Sequence, residues 1–129
     1  MPQILIEYNF DLYPSATQQL TTRLRHLCAG MFSVGELQLQ KDDFGVRFDR
    51  ILPPSVLTHD LRISLVLHNF YERVVGSEAH AEGIRDLALD ILANNGYYQD
   101  GATHPSVGVH LSYLPVAWSA GCWMDAHTP

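Results

Sequence analysis

Met1-Pro2-Gln3-Ile4-Leu5-Ile6-Glu7-Tyr8 opens the chain, and the fold follows from how this stretch is read. Ile4, Ile6 and Tyr8 alternate with Leu5 and Glu7, so it is expected to be a short strand, nearly apolar on both faces. Proline has no backbone N–H for a sheet ladder and is tolerated as the first residue of a strand. Pro2 also has a chemical consequence. Aminopeptidases remove an initiator Met when the next side chain is small, as that of proline is. Removal exposes a secondary amine on a rigid ring. Such an amine is a general base when burial or nearby cations lower its pKa toward neutrality. With Met1 retained, the same nitrogen is an amide and cannot act as a base.

The residues that follow alternate between helix and strand signals. Ser15 reads as a helix N-cap, with Gln18 completing a capping box, and Leu20, Leu24, Leu27 and Met31 form one apolar stripe. Gly35 is expected to stop that helix. Leu37 and Leu39 predict a strand over 36–40, interrupted by Lys41-Asp42-Asp43. Phe44, Val46 and Phe48 predict a second short strand after it. Pro53-Pro54 marks a long loop over 51–60. Leu61 to Phe70 is the strongest strand signal, with Ile63, Leu65 and Leu67 facing one way. Ser77 is expected to cap a second helix, with Ala81, Ile84, Ala88 and Ile91 as its stripe, widened by Leu87 and Leu92, and Asn95-Gly96 as its end. Val107, Val109, Leu111 and Tyr113 alternate as a last strand, and Pro115 ends it.

These signals repeat. Tyr8-Asn9-Phe10 with Ser15 opening a helix is echoed by His68-Asn69-Phe70 with Ser77 opening a helix. The expected fold is α+β: a single domain over 1–129 built from two βαβ units, approximately 2–50 and 60–114, with 115–129 as an apolar tail. Right-handed crossovers place both helices on one face of a four-stranded sheet. With strands one and three apolar on both sides, the other face needs a cover. A homo-oligomer, expected to be a trimer, would supply it.

Composition narrows the function classes. The net charge is −6 and the 8 Lys and Arg are scattered, which argues against a nucleic-acid partner. No apolar run is long enough for a membrane span, and the start lacks the basic and apolar regions of a signal peptide. The two cysteines, Cys28 and Cys122, have no C-x-x-C spacing and are expected to be reduced thiols in a cytoplasmic protein. The 7 histidines show no His-x-His or His-Glu-x-x-His spacing, so no metal is implied. No phosphate-cradling glycine motif is present, and no cofactor is implied. His68 and His110 lie on predicted strands, His68 as a core histidine.

The order and spacing of these elements resemble the tautomerase superfamily, over roughly residues 2–121. The opening Met-Pro-Gln-Ile-Leu-Ile-Glu-Tyr-Asn looks most like 5-carboxymethyl-2-hydroxymuconate isomerases, as does the strand, loop, Ser-Glu and long helix of Leu61 to Leu92. Ala117-Trp118-Ser119-Ala120-Gly121 is similar to the tail of malonate semialdehyde decarboxylases. The resemblance implies an amino-terminal proline as catalytic base, an oligomer and a small carboxylate substrate. It also exposes departures. The isomerases carry an arginine after the first helix, where this chain reads Gly35-Glu36-Leu37-Gln38, and another before the second helix, where Gly76 stands. Arg73 matches in spacing an arginine of cis-3-chloroacrylic acid dehalogenases and is the best remaining carboxylate anchor, ahead of Arg47 and Arg50. Glu36 falls where decarboxylases and dehalogenases place an acidic residue. Trp118 and Phe70 would wall the pocket and keep it dry.

The expected activity is keto-enol tautomerisation of a carboxylic acid, with Pro2 as base. Decarboxylation or hydration would use the same base and cation. Two non-enzymatic alternatives share the fold signals: an oligomeric binding or structural protein that has lost its substrate arginines, and a ferredoxin-like regulatory domain.

Overall fold

The computed structural model describes residues 2–33, 38–68, 76–114 and 122–126. The chain runs β1 (Gln3–Tyr8), α1 (Pro14–Met31), a 3₁₀ turn (Lys41–Asp43), β2 (Gly45–Arg50), β3 (Leu61–His68), α2 (Ser77–Asn94), β4 (Val107–Leu114) and β5 (Cys122–Ala126). The strands form one mixed sheet in the order β2-β1-β3-β4-β5. The expected βαβ repeat is present: β1 and β2 are parallel and joined through α1, β3 and β4 are parallel and joined through α2. The two halves meet where β1 pairs antiparallel with β3, Gln3 opposite Val66 and Tyr8 opposite Leu61.

Period-two alternation sends one side of each strand under the helices. Ile4, Ile6, Ile63, Leu65, Val109 and Leu111 are all buried to within 1%. Leu20 and Leu24 of α1 and Ala81, Ile84, Ala88 and Ile91 of α2 meet them in the same cluster, while Leu27 and Met31 are only partly buried. Both helices therefore lie on one face, side by side, as right-handed crossovers require.

Four sequence expectations are corrected. The sheet has a fifth strand: β5 lies within the 115–129 stretch and pairs antiparallel with β4, Leu111 opposite Cys122. Residues 38–40 are not a strand; Gln40 instead caps the 3₁₀ turn, its N–H donating to Asp43 Oδ2 at 2.7 Å. Residues 34–37, the rest of that expected strand, lie outside the described residues.

Neither serine caps its helix. Pro14 occupies the first turn of α1, where its missing N–H costs nothing, and Ser15 donates to Asn95 Oδ1 at 2.6 Å. At α2 the cap position is Gly76, in the left-handed region at φ +86°. The Asn95-Gly96 stop does form: Gly96 has φ +86° and its N–H bonds to Ala93 O at 3.1 Å.

The sheet face away from the helices is the fourth correction. It is mixed rather than apolar, because the alternate positions are Gln3, Leu5 and Glu7 on β1 and Arg62, Ser64 and Val66 on β3. Val66 is 42% exposed there.

Candidate functional site

The topology gathers chain ends at one end of the sheet. β1 begins there, Gln3 pairing with both Gly45 and Val66. β2 therefore starts at this end, and β3 and β4 finish there, His68 opposite Leu114. Each helix runs antiparallel to the strand before it, so α1 ends and α2 begins at the same end. The ring of Phe32, just past α1, meets the ring of His80, in the first turns of α2, at 5.1 Å. In parallel α/β units ligand-handling side chains collect in loops at the carboxyl ends of the strands, and at this end those are the ends of β3 and β4.

Pro2 stands at the origin of β1, half-buried. Its carbonyl accepts the first rung of the sheet, from Gly45 N–H at 3.2 Å. That bond holds the Pro2 carbonyl against the first residue of β2.

The expected substrate cations and walls are placed unevenly. Arg50 is exposed and pairs in register with Tyr8, at the other end of β1. Five strand residues at about 3.3 Å each put it roughly 17 Å along the sheet from the Pro2 end. Within one chain the two residues do not meet. Arg47 lies closer, opposite Leu5, and is exposed with an ion pair to Asp49 at 3.1 Å. With Gln3, Leu5, Ser64 and Val66 it lines a depression of about 300 Å³ on the open sheet face. Glu36, Phe70, Arg73 and Trp118 lie outside the described residues. So does the His68 side chain. In sequence Phe70 and Arg73 follow the end of β3, Trp118 separates β4 from β5, and Glu36 precedes β2.

On the helix side, the same end holds polar groups that sequence reasoning missed. Ser77 Oγ and the hydroxyl of fully buried Tyr113 are 2.7 Å apart. His80 has a buried Nδ1 with no hydrogen-bond partner. Burial pushes its pKa below the usual imidazole value. The signal was present: His80 continues the Ile84, Leu87 and Ile91 stripe one turn toward the start of α2.

Other titratable groups sit elsewhere. Glu7 and Arg62 approach to 3.5 Å across β1 and β3 on the open face. His110, on β4, is held below the usual imidazole range by burial and then by Arg62. His59 is buried against Gly108, where a β-carbon would collide with its ring. Cys28 is a buried thiol pushed up to about 12 by burial, which makes it inert. Among the described residues no three metal-ligating side chains cluster, and no helix is long and apolar enough to cross a membrane.

No family model and no curated protein sequence matches this chain. Solved structures do. A macrophage migration inhibitory factor-like protein from Entamoeba histolytica is similar at a TM-score of 0.54 and 9% identity, covering 88% of each chain. Malonate semialdehyde decarboxylase, solved as wild type, a proline-to-alanine mutant and an inactivated form, is similar at a TM-score of 0.50 and 10% identity, covering 91% of this chain and 88% of that one. At these identities the likeness is one of fold alone, and the chain has a tautomerase-like β-α-β fold.

Proposed function

We propose that this protein is a small-molecule isomerase, a tautomerase of keto-enol carboxylic acids, in which Pro2, freed of Met1, is the general base. The observation that carries this reading is the position of Pro2 at the start of β1, half-buried, tied to Gly45 and at the end where four strand termini converge. A secondary amine there is fixed in direction by the strand behind it, and partial burial favours its neutral form. It would take a proton from the carbon beside a carbonyl and return it to the other end of the enol. Arg73 is proposed to hold the substrate carboxylate, with Phe70 and Trp118 excluding water and Glu36 orienting the reacting group. Arg50 would contribute only from a neighbouring subunit, given its distance from Pro2 in its own chain.

A homotrimer packed through the open sheet face completes the proposal. Leu5 and Val66 supply apolar contact on that face, and the Glu7–Arg62 pair supplies polar contact. The proposed setting is the cytoplasm, where Cys28 stays a thiol.

A second reading, decarboxylation or hydration of a small keto acid, is favoured by the likeness to malonate semialdehyde decarboxylase. It uses the same base.

The test is direct. Mass spectrometry of the native chain is expected to show Met1 absent. Phenylenolpyruvate or 2-hydroxymuconate ketonisation is expected to fall in Pro2→Ala. Unchanged activity in that variant defeats the role of Pro2, and a retained Met1, or no activity on any keto-enol acid, leaves an oligomeric binding protein. Light scattering reads the trimer.

A further inference from the structure

Packing alone does not account for His80. Its Nδ1 is buried and unpartnered, which no other side-chain polar atom is among the described residues. An orphaned buried polar atom costs stability, and an apolar residue of similar size would avoid that cost. The imidazole nevertheless stands edge-on to buried Phe32, at the end of the sheet where Pro2 begins β1.

Its two nitrogens are not equivalent. A buried N–H without an acceptor is rarer in proteins than an acceptor without a donor. Nδ1 is therefore best left as a bare lone pair, and the proton sits on Nε2. The edge formed by Nε2 and Cε1 faces the position that a side chain on Gly76 would occupy, 3.9 and 4.0 Å away. Gly76 has none, so the Nε2–H is not covered from that side. Burial opposes a second proton on the ring, and the positive end of α2 acts in the same direction.

We infer that His80 is a second residue of the Pro2 site, its neutral Nε2–H donating a hydrogen bond to the carbonyl or enolate oxygen of the substrate. This rests on the tautomerase reading above. As a carbon proton passes to the Pro2 nitrogen, the bonding pair moves into the adjacent carbonyl and charge builds on its oxygen. A donor within reach of that oxygen stabilises the charge without giving up its own proton. Return of that proton from Pro2 to the enolate oxygen gives the enol, the reverse sequence ketonises it, and either direction restores Pro2 and His80.

The experiment compares His80→Leu and His80→Gln in phenylenolpyruvate ketonisation and in thermal unfolding. His80→Leu is expected to melt at the same or a higher temperature, yet to lose on the order of a hundredfold in kcat/KM. His80→Gln keeps an N–H donor and is expected to recover most of that loss. The proposal is overturned if His80→Leu keeps its activity, or if it melts lower and loses activity only in step with unfolding. If the wild type with a free Pro2 has no ketonisation activity, the tautomerase reading fails on its own. His80 is then tested by following its imidazole ¹⁵N resonances while phenylpyruvate is added. A saturating shift at Nε2 supports the contact, and unmoved resonances overturn it.

Discussion

Ser77 and Tyr113, 36 residues apart in the chain, join hydroxyls at 2.7 Å and so tie the first turn of α2 to the last turns of β4. The tyrosine is fully buried, so this bond has little competition from water. Tyr113→Phe removes the hydroxyl and keeps the ring. The expected loss is about 1 kcal/mol of unfolding free energy, read by urea denaturation. Ser77→Ala should cost a similar amount, and the double variant should cost less than the sum. Strict additivity would mean that the two hydroxyls are energetically independent.

Gly108 is required by its neighbour. A β-carbon there would run into the His59 ring, which is itself only 7% exposed. Gly108→Ala is expected to destabilise the fold by about 1–3 kcal/mol. His59→Ala in the same chain should relieve most of that cost, so the two substitutions are expected to be strongly non-additive in chemical unfolding.

Stability should depend on pH in a defined direction. His80 and His110 both have folded pKa values below the ordinary 6.5. The unfolded chain therefore binds protons that the folded chain resists. Their contribution is fully present above pH 6.5 and is lost as pH falls from there through the folded values. The urea midpoint should drop between pH 7.5 and pH 5.5, and His80→Leu should flatten that drop. A midpoint that rises on acidification would reverse the assignment.

Cys28 should not react in the native state. With its thiol pushed up to about 12, almost none is ionised at pH 8. Iodoacetamide at pH 8 followed by peptide mapping should find Cys28 unmodified in folded protein and alkylated in urea.

The periodic parts of this architecture could be read directly. Ile4 and Ile6, the Ile63–Leu67 alternation and the Ala81–Ile91 stripe point inward because strand and helix repeats force them to. Gly96 ends α2 because its left-handed φ suits glycine. What was missed depends on partners far along the chain. Ser15 and Ser77 have the spacing of caps, but Asn95, 80 residues away, and Tyr113 take their hydroxyls. β5 shows no alternation and exists because β4 offers an unpaired edge. Arg50 looked like a site cation from its type alone, and only the β1–β2 register shows that it sits at the opposite end from Pro2. His80 was legible as one more residue of a helical stripe, but the absence of a partner for its nitrogen was not.

The bond from Gly45 N–H to the Pro2 carbonyl carries the sheet up to the second residue of the chain. Any affinity tag fused ahead of Met1 would keep the Pro2 nitrogen an amide. Under the role proposed for Pro2, such recombinant material would fold and melt normally while lacking the amine the reaction needs, so a test of that role puts purification handles at the carboxyl terminus.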